Sequence, residues 1–296
     1  MIENKQYLGR LFCFGLGYTG TALARNLLAE GWRVSGTCRE IEHAEALKKL
    51  GVEVHLFDRN RPLTDAAVAL AGVDHVLSSV PPDAQGDAVL DLHGGDLAAL
   101  GDTLKWIGYL STTGVYGTRD GDWVDEDSQR QPGSERAVWR AAAEDAWLAR
   151  GETIAAPVQV FRLAGIYGPG RSVFERIKAG RAKRIHRAGQ MFSRIHVDDI
   201  VTSLRASMDR PRHGGIYNVC DNEPAAPADV ITYACQLLDI SPPPLIDFEV
   251  AELSDMALTF WADNKKVRNA RLKQELCVTL QYPDYRAGLN AIFKSA

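Results

Sequence analysis

The hexapeptide Gly15-Leu16-Gly17-Tyr18-Thr19-Gly20 constrains this chain more than any other stretch, because of what flanks it. Residues 11–14 before it form a short apolar run of strand character, and residues 21–30 after it repeat apolar side chains at helical spacing. A strand must therefore turn into a helix within the glycines. The first glycine permits the tight turn, the second leaves no Cβ to bar an approach to the backbone, and the third lets helix and strand pack closely. The helix N-terminus then offers free N–H groups and a partial positive charge to an anion. The pattern predicts a cradle for a pyrophosphate, with Gly15, Gly17, Tyr18, Thr19 and Gly20 as its contacts.

The alternation continues along the chain. Further strands are expected at 33–36, 53–57, 74–78, 106–110 and 158–162, with helices at 43–50, 65–70, 87–100 and 136–149. That order is the signature of an α/β fold with a doubly wound parallel sheet, the Rossmann arrangement. With 296 residues, 46% of them hydrophobic, the chain can bury such a core and a lobe besides. After about Gly170 the pattern loosens into a basic helical stretch, a return element at 195–208, a strand-like 215–219 and a proline-rich bend at 242–244. The expected organisation is a dinucleotide-binding domain over 8–169, with 195–222 returning to it, and a smaller interleaved substrate lobe from 170–194 and 223–296. Residues before about Leu8 read as a short disordered lead-in.

A formal charge of −4 supplies no global attraction to nucleic acid or anionic membrane, so the expected partner is a small-molecule substrate. Five widely spaced cysteines without a C-x-x-C pair argue against a disulfide framework and against a bound metal. They read as reduced thiols of a cytoplasmic protein. The start of the chain lacks a secretory signal, and no stretch reaches the roughly 18 apolar residues of a membrane span. Cofactor choice is expected to show after the second strand, in Ser35-Gly36-Thr37-Cys38-Arg39. No acid stands there to bind ribose hydroxyls, whereas the Arg39 guanidinium and Thr37 hydroxyl suit a 2′-phosphate. This favours NADP, while Glu40, the next residue, leaves NAD open.

With the glycine motif stand three further segments: Ser111-Thr112-Thr113-Gly114-Val115-Tyr116-Gly117, Arg162-Leu163-Ala164-Gly165-Ile166-Tyr167-Gly168-Pro169-Gly170 and Arg194-Ile195-His196-Val197-Asp198-Asp199. Together they make nearly the whole chain resemble the extended short-chain dehydrogenase/reductases, the NAD-dependent epimerase/dehydratase family. The resemblance implies cofactor contacts at Asp58, Ser79, Val80, Pro81, Ser111, Leu163 and Ala164. Thr112 matches the family's catalytic Ser/Thr, and Thr113 and Arg194 match substrate positions. It also implies a monomer or homodimer.

Two departures mark an atypical member. The family's first glycine is Phe14 here, and its Tyr-x-x-x-Lys pair, counted back from Glu144, falls on Arg136 and Arg140. Residues 136–151 contain neither Tyr nor Lys. An arginine keeps its proton to above about pH 12, so Arg136 cannot exchange one with substrate. Arg140 remains a candidate to hold the nicotinamide ribose, and Tyr116 is the nearest phenol for proton transfer. Asp125 and Glu126 are weaker candidates on an acidic loop. The basic run Arg171, Arg176, Lys178, Arg181, Lys183, Arg184, Arg187 and Arg194 suits an anionic, nucleotide-sugar-like substrate or merely a solvated face. The expected function is an NAD(P)-dependent oxidoreductase or epimerase-like enzyme acting on a hydroxyl or keto group. The alternative is an inactive NADP(H)-binding redox sensor.

Overall fold

Apolar side chains at four consecutive positions make β1 (Arg10–Phe14) a strand that must be covered on both faces, and Leu11 to Phe14 are indeed fully buried. The computed structural model describes residues 7–154 and 156–295; of the lead-in expected before about Leu8, residues 1–6 lie outside the described residues. Around β1 the chain builds a seven-stranded parallel sheet from β2 (Arg33–Cys38), β3 (Glu53–Leu56), β4 (His75–Ser78), β5 (Trp106–Thr112), β6 (Val158–Leu163) and β7 (Gly215–Val219). The strand order is β7-β6-β5-β4-β1-β2-β3. Registers such as Phe12 opposite Ser35 and Val76 fix β1 between β2 and β4. From β1 the sheet grows outward both ways, so β1 and β4 flank the switch point where ligands of open α/β sheets bind. The doubly wound expectation holds.

The crossovers are α1 (Tyr18–Ala29), α2 (Ile41–Lys49), α3 (Ala66–Ala69), α4 (Ala88–Ala99) and α5 (Glu135–Ile154). Asp87 starts α4 by accepting from the Val89 and Leu90 N–H groups, and its other oxygen accepts from Trp147 Nε1 at 3.0 Å. One carboxylate thus caps one helix and ties down a fully buried tryptophan on another. Phe12, Phe14, Phe57, Val76, Ile107 and Trp147 belong to the core so formed.

The chain divides into two compact units, Met1–Ser111, Trp139–Phe161 and Ser203–Ile216 in the first, Thr112–Val138, Arg162–Thr202 and Tyr217–Ala296 in the second. Residues 112–138 and 162–169 therefore fall in the second. Its core gathers Tyr167, Phe174, Ala234, Tyr285 and Leu289, with α6 (Val173–Lys178) closed by a Ser172/Glu175 capping box. Short parallel ladders join Gly165–Tyr167 to Arg194–His196 and Trp123–Val124 to Lys266–Val267. The basic helical stretch expected after Gly170 is only the six residues of α6, followed by a strand at Arg184–His186. The expected return element is a strand and then a helix, α7 (Val197–Asp209).

Candidate functional site

In the first unit a cavity of about 1010 Å³ opens beside the glycine turn, lined among others by Gly15, Gly17, Arg39, Asp58, Ser79, Val80 and Pro81. Gly15 sits at φ +87°, where an L side chain is strained, and a Cβ there would meet Ser79 Oγ at 2.8 Å. A Cβ on Gly17 would meet nothing within 4 Å, because that backbone faces open space. A Cβ on Gly20 would lie 2.9 Å from both Cys13 Sγ and Gly15 O, so helix and strand touch there. Gly15 and Gly20 therefore each have a steric cause within the fold, and Gly17 has none. Thr19 and Gly20 are buried in the first turn of α1, and Tyr18, its first residue, is half-buried.

The turn is held from two sides. Gly15 N–H donates to Thr37 Oγ1 at 2.9 Å, Leu16 N–H donates to Thr37 O at 2.7 Å, and Ser79 Oγ donates to Gly15 O. This corrects the role expected of Thr37: it is 1% exposed and its hydroxyl fastens the turn rather than awaiting a phosphate. Arg39 is exposed at the cavity, while Arg61 donates to the Arg39 carbonyl and pairs with Asp58 at 2.9 Å. Arg59 is engaged by Asp83 and Asp91. His43, overlooked in the sequence because no motif marks it, lines the cavity and donates from Nε2 to Leu16 O at 2.7 Å.

Ser111 and Arg140, also of the first unit, turn to neighbours in the protein. Ser111 Oγ donates to the fully buried Glu144, and Arg140 donates to Leu110 O at 2.8 Å and Tyr109 Oη at 3.2 Å. Arg140 thus braces β5, a different task from the ribose-holding lysine it was expected to replace.

The second unit holds a smaller cavity, about 170 Å³, whose lining brings together Thr112, Thr113, Leu163 and Ala164. Thr112 Oγ1 accepts from Gly114 N–H at 3.1 Å, which fixes the hydroxyl at the end of β5. Met191, Phe192 and Phe260 supply an apolar wall, and Lys265 with Asp263 supplies charge. Nothing in the sequence distinguished this Asp-x-Lys from an ordinary solvated run.

Tyr116 requires a correction. It is 0% exposed, donates to Asn218 Oδ1 at 2.7 Å and accepts from Arg162 at 2.9 Å, with that guanidinium also over its ring. Burial pushes its phenol up to about 12, Arg162 opposing, so it neither reaches a substrate nor gives up a proton near neutrality. Glu126 is likewise structural, buried and accepting from Asn218 N–H at 2.7 Å, while Asp125 accepts from Ser128. Arg194, expected to meet an anionic substrate, donates to Phe192 O and Ala225 O instead, and its burial disfavours the charge.

Residues 10–109 match the NAD binding domain of 6-phosphogluconate dehydrogenase. A conserved protein of unknown function from Silicibacter pomeroyi is 48% identical over 97% of this chain and 99% of its own, with a TM-score of 0.90. Protein YeeZ of Escherichia coli K12 is 29% identical over 91% of this chain and 95% of YeeZ. UDP-glucuronic acid 4-epimerase from Bacillus cereus, in complex with NAD, is 16% identical over 96% of each chain with a TM-score of 0.77, a likeness of fold.

Proposed function

Because the chain belongs to one family with the Silicibacter pomeroyi protein of unknown function, we propose its activity from its own residues: a nicotinamide-dependent oxidoreductase or epimerase-like enzyme acting on a hydroxyl or keto group of a small molecule. The observation that carries this reading is the bare backbone at Gly17, open to a cavity of about 1010 Å³, under a turn that Gly15 and Gly20 can make and bulkier residues cannot. A nucleotide pyrophosphate fits that cradle, and a bound nicotinamide supplies hydride chemistry. Thr112 would hold the reacting oxygen by hydrogen bonding, in a cavity that Leu163 and Ala164 share with it. No helix among the described residues is long and apolar enough to cross a membrane.

Within that reading NADP(H) is preferred over NAD(H). Arg39 presents an exposed guanidinium at the cavity where an acid would have repelled a 2′-phosphate. Arg39→Ala should weaken NADPH binding by about 1.5–3 kcal/mol, the value of a hydrogen bond to a charged group, and barely alter NADH. Fluorescence titration with both nucleotides checks it, and equal losses would refute the preference. The activity is tested by following oxidation of NADPH and NADH against ketones, aldehydes and sugar nucleotides, in the wild type and in Thr112→Ala. Turnover that Thr112→Ala suppresses supports an enzyme. Tight binding without turnover across the panel would make the protein a redox sensor instead.

A further inference from the structure

A lysine ammonium ordinarily stays in water, so Lys265, at 7% exposure, stands out. Its Nζ lies 2.9 Å from Asp263 Oδ2, and together they form part of the wall of the cavity that holds Thr112. The backbone around it is pinned on several sides. Asn264 donates from Nδ2 to Gly189 O and accepts at Oδ1 from Met191 N–H, while its carbonyl accepts from Arg119 and Gly121. Lys266–Val267 pairs in parallel with Trp123–Val124, and Gln190 Nε2 donates to Asp263 O at 2.7 Å. A flexible side chain is thereby rooted on a rigid base, against the apolar wall of Met191, Phe192 and Phe260.

We propose that Lys265 Nζ exchanges the proton with the substrate oxygen held by Thr112, the role for which this chain has no Tyr-x-x-x-Lys pair. The proposal rests on the dehydrogenase reading above. In the oxidising direction the neutral amine would take the hydroxyl proton as the O–H bond breaks and the C–O bond becomes double, an oxidised nicotinamide being the class of acceptor that would take the hydride from carbon. In the reducing direction the ammonium would return that proton to the oxygen, with the hydride for the carbonyl carbon supplied by a reduced nicotinamide. Asp263 stabilises the ammonium that forms between these events. Arg119 is a further charged neighbour that bears on it. Burial drives the lysine toward its neutral form, Asp263 draws it back, and Arg119 adds to the lowering, so Lys265 gives up its proton more readily than an exposed lysine does.

Two substitutions separate this role from that of a structural ion pair. Lys265→Met removes the amine. Lys265→Arg keeps a cation for Asp263 but holds its proton to above about pH 12, so it restores a structural pair and not a proton carrier. Both variants should bind NADPH like the wild type and lose roughly 100-fold or more in kcat, the usual worth of a general acid or base. A second readout needs no substrate: with a carbon-13 label at lysine Cε, the resonance lost in Lys265→Arg should titrate at lower pH than those of exposed lysines. Turnover that survives in Lys265→Arg, or a Lys265 resonance titrating with the exposed lysines, overturns the proposal. Failure of the wild type to bind either nucleotide would instead overturn the reading on which it rests, and leaves the titration to judge the lysine separately.

Discussion

Single atoms decide how the nucleotide turn tolerates change, and the three glycines do so differently. An alanine at position 17 would point into open space, whereas one at position 20 would press on Cys13 Sγ and the Gly15 carbonyl. Gly17→Ala should leave thermal unfolding nearly untouched and weaken nicotinamide nucleotide binding. Gly20→Ala should cost about 1–3 kcal/mol of stability from overpacking. Calorimetric melting alongside nucleotide titration checks both, and equal melting temperatures for the two variants would contradict the packing argument. At this scale the sequence is a guide where a residue's task is local and steric, as at Gly15 and Gly20. It misled at Thr37 and Tyr116, whose hydroxyls are committed to partners far along the chain, Gly15 for one and Asn218 and Arg162 for the other.

Among elements, the strands and helices of the first half were legible because each is a continuous apolar run or a helical repeat bounded by turn residues. α1 begins at Tyr18, three residues earlier than periodicity suggested, since the turn ends at Gly17. Less legible were the short ladders of the second unit, two or three residues each, whose pairing partners lie far off in sequence, as Trp123–Val124 and Lys266–Val267 do. Lys265 was invisible for the same reason. Asp87 offers a test at this scale, since it caps α4 and anchors Trp147 on α5. Asp87→Ala should destabilise by roughly 2 kcal/mol or more, by losing a cap and leaving a buried indole N–H unpaired. Urea denaturation measures it, and a loss within error of zero would show that the two helices are held by other means.

For the molecule as a whole, buried carboxylates set how stability depends on pH. Asp221 is 1% exposed, its Oδ2 has no hydrogen-bond partner among the described residues, and burial raises its carboxyl to about 8 despite the opposing charge of Arg194. An unfolded aspartate titrates near 3.9, roughly, so the folded state keeps a proton that the unfolded chain releases. The contribution is complete below the unfolded value and is lost as pH rises through the folded one. Asp221→Asn, which cannot ionise, should gain on the wild type between about pH 5 and pH 8 in melting temperature. A constant difference across that window would show that the carboxyl does not titrate as its burial requires.

The fastening of Gly15 by Thr37 and Ser79 bears on when disorder is given up. A loop stapled to two neighbouring strands acquires its shape as the sheet forms, and has little freedom left to surrender when a guest arrives. The receptor is finished before the visitor comes, and recognition there should involve fitting rather than moulding.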